Sequence, residues 1–451
     1  MDRRFEGWSG RCGARGSAVL VACVCAALAP GVVASFATSA PSLAGPRNYA
    51  TGGAPKSIAI GDLTGDGKPD LATATSSTVT VLANRGNGRF QAKLEYPTGR
   101  GSYEVAIRDL SGDGKPDLAT ANLGADTVSV LLNLGDGRFQ AKLDYPTGRG
   151  PVSVAIGDLN GDGKPDLATA NVDAGTVSAL INRGDGSFQA KLDYRTGLDP
   201  RSVAIGDLNG DGKPDLATAN AGADTVSVLL NRGDGSFQAR LDYGTPDYPH
   251  SIAIGDLNGD GRRDLATANI SDTVSVLANK GDGSFEARRT YATGNGLNAV
   301  AIGDLNGDRK PDLVTANGFS NTLSLLANKG NGSFRAKLDY GTGNSPNSVA
   351  ISDLNGDRKP DLATAGVRDT VSVHLANTTG VCVVPNVKGK TLPAAKRTIA
   401  RAEADCRVGK IRRAYSKTVK RGRVVSQTPP PRRVLPIRGK VNLVVSRGRK
   451  R

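Results

Sequence analysis

GDLNGDGKPD occupies residues 157–166, and the same ten-residue pattern returns through most of the 451-residue chain. Its leading aspartate stands at Asp62, Asp109, Asp158, Asp207, Asp256, Asp304 and Asp353, in steps of 47, 49, 49, 49, 48 and 49 residues. A period near 49 with seven copies marks an array of supersecondary units. Around each copy the sequence alternates in the manner of short strands: SVAIGDL before the loop, DLATAN after it, then TVSVLLN and FQAKLDY. The last two are joined by a hairpin such as Gly135, Asp136 and Gly137. Four strands per repeat describe the blade of a propeller.

Composition agrees with turn-dense β structure. The chain has 58 glycines, 38 aspartates against 5 glutamates, 38% hydrophobic and 4% aromatic residues. Glycine and aspartate are poor helix formers, so a helical bundle or coiled coil is excluded. With only His250 and His374 in the chain, histidine-dependent catalysis has few places to sit. No catalytic residue is assigned, and the protein is expected not to be an enzyme.

Ring closure can be read from the ends of the array. Tyrosine ends the fourth strand at Tyr49, Tyr96, Tyr145, Tyr194, Tyr243, Tyr291 and Tyr340, whereas the last unit runs out after residues 371–377 without one. Residues 46–52 (PRNYATG) form a fourth-strand ending with no first three strands before it. The expected fold is therefore an all-β, seven-bladed β-propeller over 43–378, closed by pairing the N-terminal strand into the last sheet, which removes an open edge. A linear solenoid ranks second.

Each loop follows D-x-[NST]-x-D-G-x-x-D. The candidate metal ligands are Asp62, Thr64, Asp66, Lys68 and Asp70 in the first copy, Asp109, Ser111, Asp113, Lys115 and Asp117 in the second, and Asp158, Asn160, Asp162, Lys164 and Asp166 in the third. They continue as Asp207, Asn209, Asp211, Lys213 and Asp215; Asp256, Asn258, Asp260, Arg262 and Asp264; Asp304, Asn306, Asp308, Lys310 and Asp312; and Asp353, Asn355, Asp357, Lys359 and Asp361. Three carboxylates and one side-chain oxygen within nine residues repel one another unless a hard cation is present, and Ca²⁺ takes six to eight oxygens at such spacing. Position seven offers its backbone carbonyl. A single copy would read equally well as an Asx-rich turn, but seven at one offset point to calcium, up to seven ions. The carboxylates are spaced along one loop, not across a cleft as in a glycosidase.

These residues resemble FG-GAP or VCBS repeats, the calcium-loop propellers of integrin ectodomains and exported bacterial proteins. The resemblance implies that the loop joins the first two strands of a blade and that its cation is structural. Arg309 and Arg358 replace the glycine at position six, so calcium is expected to be weakest in blades six and seven.

In a ring of meandering sheets the calcium loops and hairpins share one face, and the loops after each tyrosine share the other. The latter differ between copies: GRGSYEV, GRGPVSV, GLDPRSV, PDYPHSI, NGLNAV and NSPNSV. Off-pattern Tyr103, Tyr248, His250 and Phe319 fall there and are the candidate ligand-binding residues, suited to a sugar or a peptide. A glycan-active hydrolase or lyase using this face is the alternative function. The lone tryptophan, Trp8, lies in the N-terminal segment, which weakens a lectin reading.

The net charge of +15 divides into +2 for residues 1–40, −6 for 41–380 and +19 for 381–451. Arginines 3, 4, 11 and 15, an apolar run over 18–29 and a small-residue flank to residue 40 form an expected signal peptide, with an uncleaved membrane anchor as the alternative. Cys23 sits in a lipoprotein-like box that is discounted because the apolar run continues beyond it. Removal of the segment leaves Cys382 and Cys406 as an expected disulfide in an exported chain.

Residues 381–448 read as a strand, a helix from near Thr391 with Leu392, Ala395, Ile399 and Ala402 on one face, and then two or three strands, followed by a basic tail at 449–451. VPNV at 384–387, GRVVSQTP at 422–429 and KVNLVVSRG at 440–448 resemble a PASTA domain, the small β-α-β-β module of penicillin-binding proteins and bacterial serine/threonine kinases. The resemblance implies contact with peptidoglycan. A +19 module outside the cell should also associate with anionic wall polymers. Export and the lack of base-stacking aromatics argue against nucleic acid. A secreted, wall-associated monomer is expected, with a carbohydrate or protein ligand on the propeller.

Overall fold

The computed structural model describes residues 42–343, 345–377, 381–383, 386–401, 407–428, 434–436 and 440–449. The export segment and Cys406 lie outside these residues, as does the Cys382 side chain, so the signal and disulfide assignments do too. Among the described residues, no helix is long and apolar enough to cross a membrane.

The repeat forms seven four-stranded antiparallel sheets. In the third, Pro151–Gly157, Asp166–Asn171, Thr176–Leu180 and Leu192–Arg195 follow one another as a meander. The second strand is buried along its whole length in every sheet. Its Asp-Leu-Ala-Thr-Ala pattern alternates leucine with small residues on the opposite face, so a neighbouring sheet can pack close on each side. The fourth strand is mostly exposed and shorter than the alternation predicts: it begins at Leu192, while Phe188 forms a lone bridge with Asn182 just beyond the third strand.

Each core cluster spans two consecutive sheets. Ala168, Ala170, Val177 and Ala179 of the third sheet pack with Val203, Leu216, Leu229 and Phe237 of the fourth. The tyrosine of one sheet meets the phenylalanine of the next edge-on, as Tyr194 and Phe237 do at 5.1 Å between ring centroids.

The N-terminal strand behaves as the array's end predicts. Arg47–Ala50 pairs antiparallel with Thr370–His374, placing Tyr49 opposite Val371 and completing a sheet whose other three strands come from residues 346–374. Ser42–Leu43 adds a two-residue pairing with Ala376–Asn377. Tyr49 then meets Phe90 of the first sheet edge-on at 5.2 Å and donates to the Gly88 carbonyl at 3.0 Å, so first and last sheets are neighbours.

Residues 381–449 form a small α+β unit. Arg407–Ala414, Lys440–Ser446 and Val424–Thr428 make a three-stranded sheet with Lys440–Ser446 central, parallel to the first and antiparallel to the last. Val381–Val383 pairs separately with Val434–Pro436. The helix Leu392–Arg401 lays Leu392, Ala395 and Ile399 on Val387, Val424, Val441 and Leu443, as its periodicity predicts; Ala402 is outside the described residues.

One copy breaks the core pattern. His374 occupies the register held by Leu82, Leu131, Leu180, Leu229, Leu277 and Leu326 and is 1% exposed. Burial pushes its pKa down to about 4, against a smaller upward pull from a hydrogen bond to the Ala44 backbone. Between that value and the ordinary 6.5 the unfolded chain binds the proton and the folded chain does not, so stability is lost as pH falls through this window. His374→Leu should abolish about 2–3 kcal/mol of destabilisation between pH 7 and pH 4. Chemical denaturation of both proteins at the two pH values measures this, and equal acid sensitivity would refute it.

Candidate functional site

The third carboxylate loop shows how the acid side chains are used. Asp158 accepts the amides of Gly161 (2.7 Å), Asp162 (3.1 Å) and Gly163 (2.8 Å) on its two oxygens. Asn160 accepts the Asp162 amide at 3.0 Å, and Asp162 accepts that of Lys164 at 2.9 Å. These side chains are at the surface. Asp166 is fully buried, and its carboxylate accepts the amide of Leu159 at 2.8 Å on one oxygen and that of Asn182 at 2.7 Å on the other. The position-nine carboxylate is held in this way in all seven copies. Burial raises its pKa in each, to about 6 for Asp166, Asp215 and Asp312 and about 7 for Asp361, against the lowering effect of the amide donors.

Each loop thus has an outer set at positions one, three and five and an inner carboxylate committed to backbone. Among the described residues no three His, Cys, Asp or Glu side chains are gathered where they could hold a metal ion. The outer donors are all hard oxygens, the chemistry a calcium-type cation takes. Positions one, three and five with the carbonyl of position seven would hold it, because they lie at the surface, whereas the position-nine carboxylate is fully buried.

Arg309 and Arg358 keep the loop's shape despite the missing glycine. Their φ angles are 65° and 66°, against 80° for Gly163, and their amides reach Asp304 at 2.7 Å and Asp353 at 2.6 Å in the same way. A non-glycine residue in this left-handed region costs roughly 1–2 kcal/mol.

The loops of the variable face converge at the start of each first strand. Lys56, Tyr103, Val152, Arg201, His250, Asn298 and Asn347, one from each sheet at equivalent positions, line a single cavity of about 140 Å³. Of the four predicted ligand-binding residues, Tyr103 and His250 are brought together here. Tyr248 stands behind Arg201, donating to Asp199 at 3.0 Å and accepting from Arg201 at 3.0 Å. Phe319 lies 82% exposed and lines no part of the cavity. Lys56, Glu104, Arg201, Asn298 and Asn347 escaped the sequence reading, although the position before each strand's serine is where the copies diverge most.

The residue after this variable position links the sheets. Ser57, Ser153, Ser202, Ser251 and Ser348 each accept the backbone amide of the following sheet's first strand, at 2.9 to 3.4 Å. Glu104 takes the serine's place in the second sheet and accepts the Val154 amide at 2.9 Å. Burial raises the Glu104 pKa, against hydrogen bonds from Ser153 and Val154. Burial lowers that of His250, whose Nδ1 lies 3.0 Å from the Asn298 carbonyl.

In the C-terminal unit, Tyr415 is 54% exposed with the Arg447 guanidinium 5.8 Å from its ring centre. Tyr415, Ser416, Lys417 and Arg449 border a second cavity of about 530 Å³. A cation over an aromatic face beside further basic groups is suited to an anionic polymer.

Fold and loops together define a propeller-like repeat protein carrying a small basic α+β module. The FG-GAP-like repeat model matches six overlapping segments, 62–120, 109–169, 158–218, 207–267, 256–315 and 304–364, and the protein belongs to that family. The PASTA domain model matches residues 383–447. Among solved structures, BBS1N in complex with ARL6DN, in crystals soaked with lead or with mercury, is 13% identical with a TM-score of 0.55, covering 75% of this chain and 98% of that one. A lectin from Agrocybe aegerita that recognises non-reducing terminal N-acetylglucosamine is 22% identical with a TM-score of 0.47, covering 62% and 79%. No curated protein matches the sequence.

The strain at position six is directly testable. Arg309→Gly should raise stability by about 1 kcal/mol, because glycine enters the left-handed region freely and the Asp304 contact is a backbone one. A thermal melt showing an unchanged or lower midpoint would contradict this.

Proposed function

We propose that the protein is an exported, non-enzymatic binding or scaffold protein held at the bacterial cell wall by its PASTA domain. The observation that carries this reading is the match of residues 383–447 to a wall-associated module within a segment of charge +19. The exposed Tyr415 and Arg447 pair beside Lys417 and Arg449 supplies a basic, partly aromatic surface for anionic wall polymers. On this reading the seven sheets form one closed seven-bladed propeller, a rigid platform that presents its variable face. Calcium on the outer donors would stiffen the opposite face, and its role is structural.

Attachment should follow charge. The full protein should sediment with isolated cell walls at low salt and be released as ionic strength rises, since exposed charges are screened within about 10 Å at 0.1 M. A form ending at Gly380 should stay in the supernatant. Sedimentation of that form at the level of the full protein would place attachment in the propeller instead.

Metal should follow linkage. A cation that binds only the folded state stabilises it by about 2.7 kcal/mol per site at a hundred times its Kd. Excess EGTA should therefore lower the melting temperature, with recovery on adding calcium. Superimposable melts with and without chelator would remove calcium from the account.

A further inference from the structure

The cavity at the variable face carries information that the repeat does not need. Where a register serves packing alone, this chain repeats one residue type, as with the leucines of the second strands. At the cavity the same register holds Lys56, Tyr103, Val152, Arg201, His250 and two asparagines. A seven-fold frame has been given a lining with no rotational symmetry, as an asymmetric ligand requires.

The charges in the lining are more specific. Arg201 is neutralised within the protein, its Nε 2.8 Å from Asp199. One acid and one base remain without an ion-pair partner among the described residues. Glu104 replaces a residue whose task needs only a hydroxyl oxygen, and it has amide and hydroxyl donors but no ion-pair partner among the described residues. Lys56 borders the same cavity and likewise has no ion pair or hydrogen bond there among the described residues. An acid and a base that share one recess without pairing each other are open to a ligand that offers a partner to both.

We propose that this cavity binds a small zwitterion, an amino acid with a polar side chain. Glu104 receives the ammonium group and Lys56 the carboxylate. Asn298 and Asn347 donate their side-chain amides to the Pro346 and Pro55 carbonyls, at 3.0 and 3.1 Å, which fixes both side chains on the rim; the Asn347 Oδ1 also receives the Asn298 amide at 3.5 Å, and the Asn298 Oδ1 is left to accept from a ligand N–H group. Tyr103 offers an aromatic face to the ligand's side chain. The cavity is roughly ten times the 10–15 Å³ that one water needs, room for such a molecule. This site lies apart from the PASTA domain and stands or falls separately from wall attachment.

Isothermal titration of the full protein with glutamine, in both hands, tests the assignment. N-acetylglutamine, which lacks the ammonium, and glutaminamide, which lacks the α-carboxylate, are the matched probes. At least one enantiomer of glutamine should bind, and each blocked form should bind at least tenfold more weakly. Glu104→Gln should weaken glutamine at least tenfold while leaving N-acetylglutamine unchanged. Lys56→Met should weaken glutamine while leaving glutaminamide unchanged, and this half-buried rim position carries the test alone if the Glu104 variant does not fold. Absence of binding by both enantiomers overturns the proposal, as does N-acetylglutamine binding as tightly as glutamine, which would reveal a plain anion site.

Discussion

The buried position-nine aspartate is the interaction on which the rest of the repeat depends. In the third copy Asp166 holds the start of the carboxylate loop through Leu159 and the end of the third strand through Asn182. That anchors Asn182, whose side-chain amide then donates to the Leu110 carbonyl of the preceding sheet at 2.8 Å and to Pro165 at 2.9 Å. One carboxylate thus closes the loop, ends a strand and aims the group that joins two sheets. A buried charge is tolerated there because its oxygens receive amide hydrogens, each charge-assisted bond being worth roughly 1.5–3 kcal/mol. The equivalent asparagine is present in six sheets, and Asn84 carries the link from the first sheet to Leu354 of the last.

This arrangement explains why one face of the molecule is monotonous and the other is not. On the loop side the position-nine aspartate and the strand-end asparagine join loop, strand and sheet, and the next sheet's hairpin is tied in as well, as when the Gly235 amide donates to the Leu159 carbonyl. On the opposite side the joining role falls mainly to one register, serine in five sheets and Glu104 in the second. The residue before it is freer to differ between copies, although His250, Asn298 and Asn347 there also reach the next sheet.

Much of this was legible in the sequence because it repeats. The loop spacing, the four strands and the closing role of Tyr49 all follow from a period and its interruption at the two ends. The structure also bears out the helix face of Leu392, Ala395 and Ile399. The reading did not divide the acids of a loop into outer and inner sets, since spacing alone cannot tell a carboxylate that faces solvent from one that faces backbone amides. It also picked Phe319 for being aromatic and passed over Lys56 and Glu104, because convergence around a central cavity joins residues nearly 300 positions apart. Arg309 and Arg358 look disruptive by composition, yet they adopt the glycine-like backbone because the Asp304 and Asp353 carboxylates hold their amides.

The sheet that combines Arg47–Ala50 with residues 346–374 has a kinetic meaning. Its contacts join positions as far apart as Asn48 and Ser372, 324 residues away along the chain. The other six sheets are built from contiguous segments and can form as soon as their own residues are available, but this one must wait for both ends of the array. Folding is then a sequence of local events followed by one late, long-range step. The same step works in reverse as a clasp: an unfolding event that starts at either terminus of the array must first peel apart a pairing secured by the other, so escape from the native state begins with its least local contact.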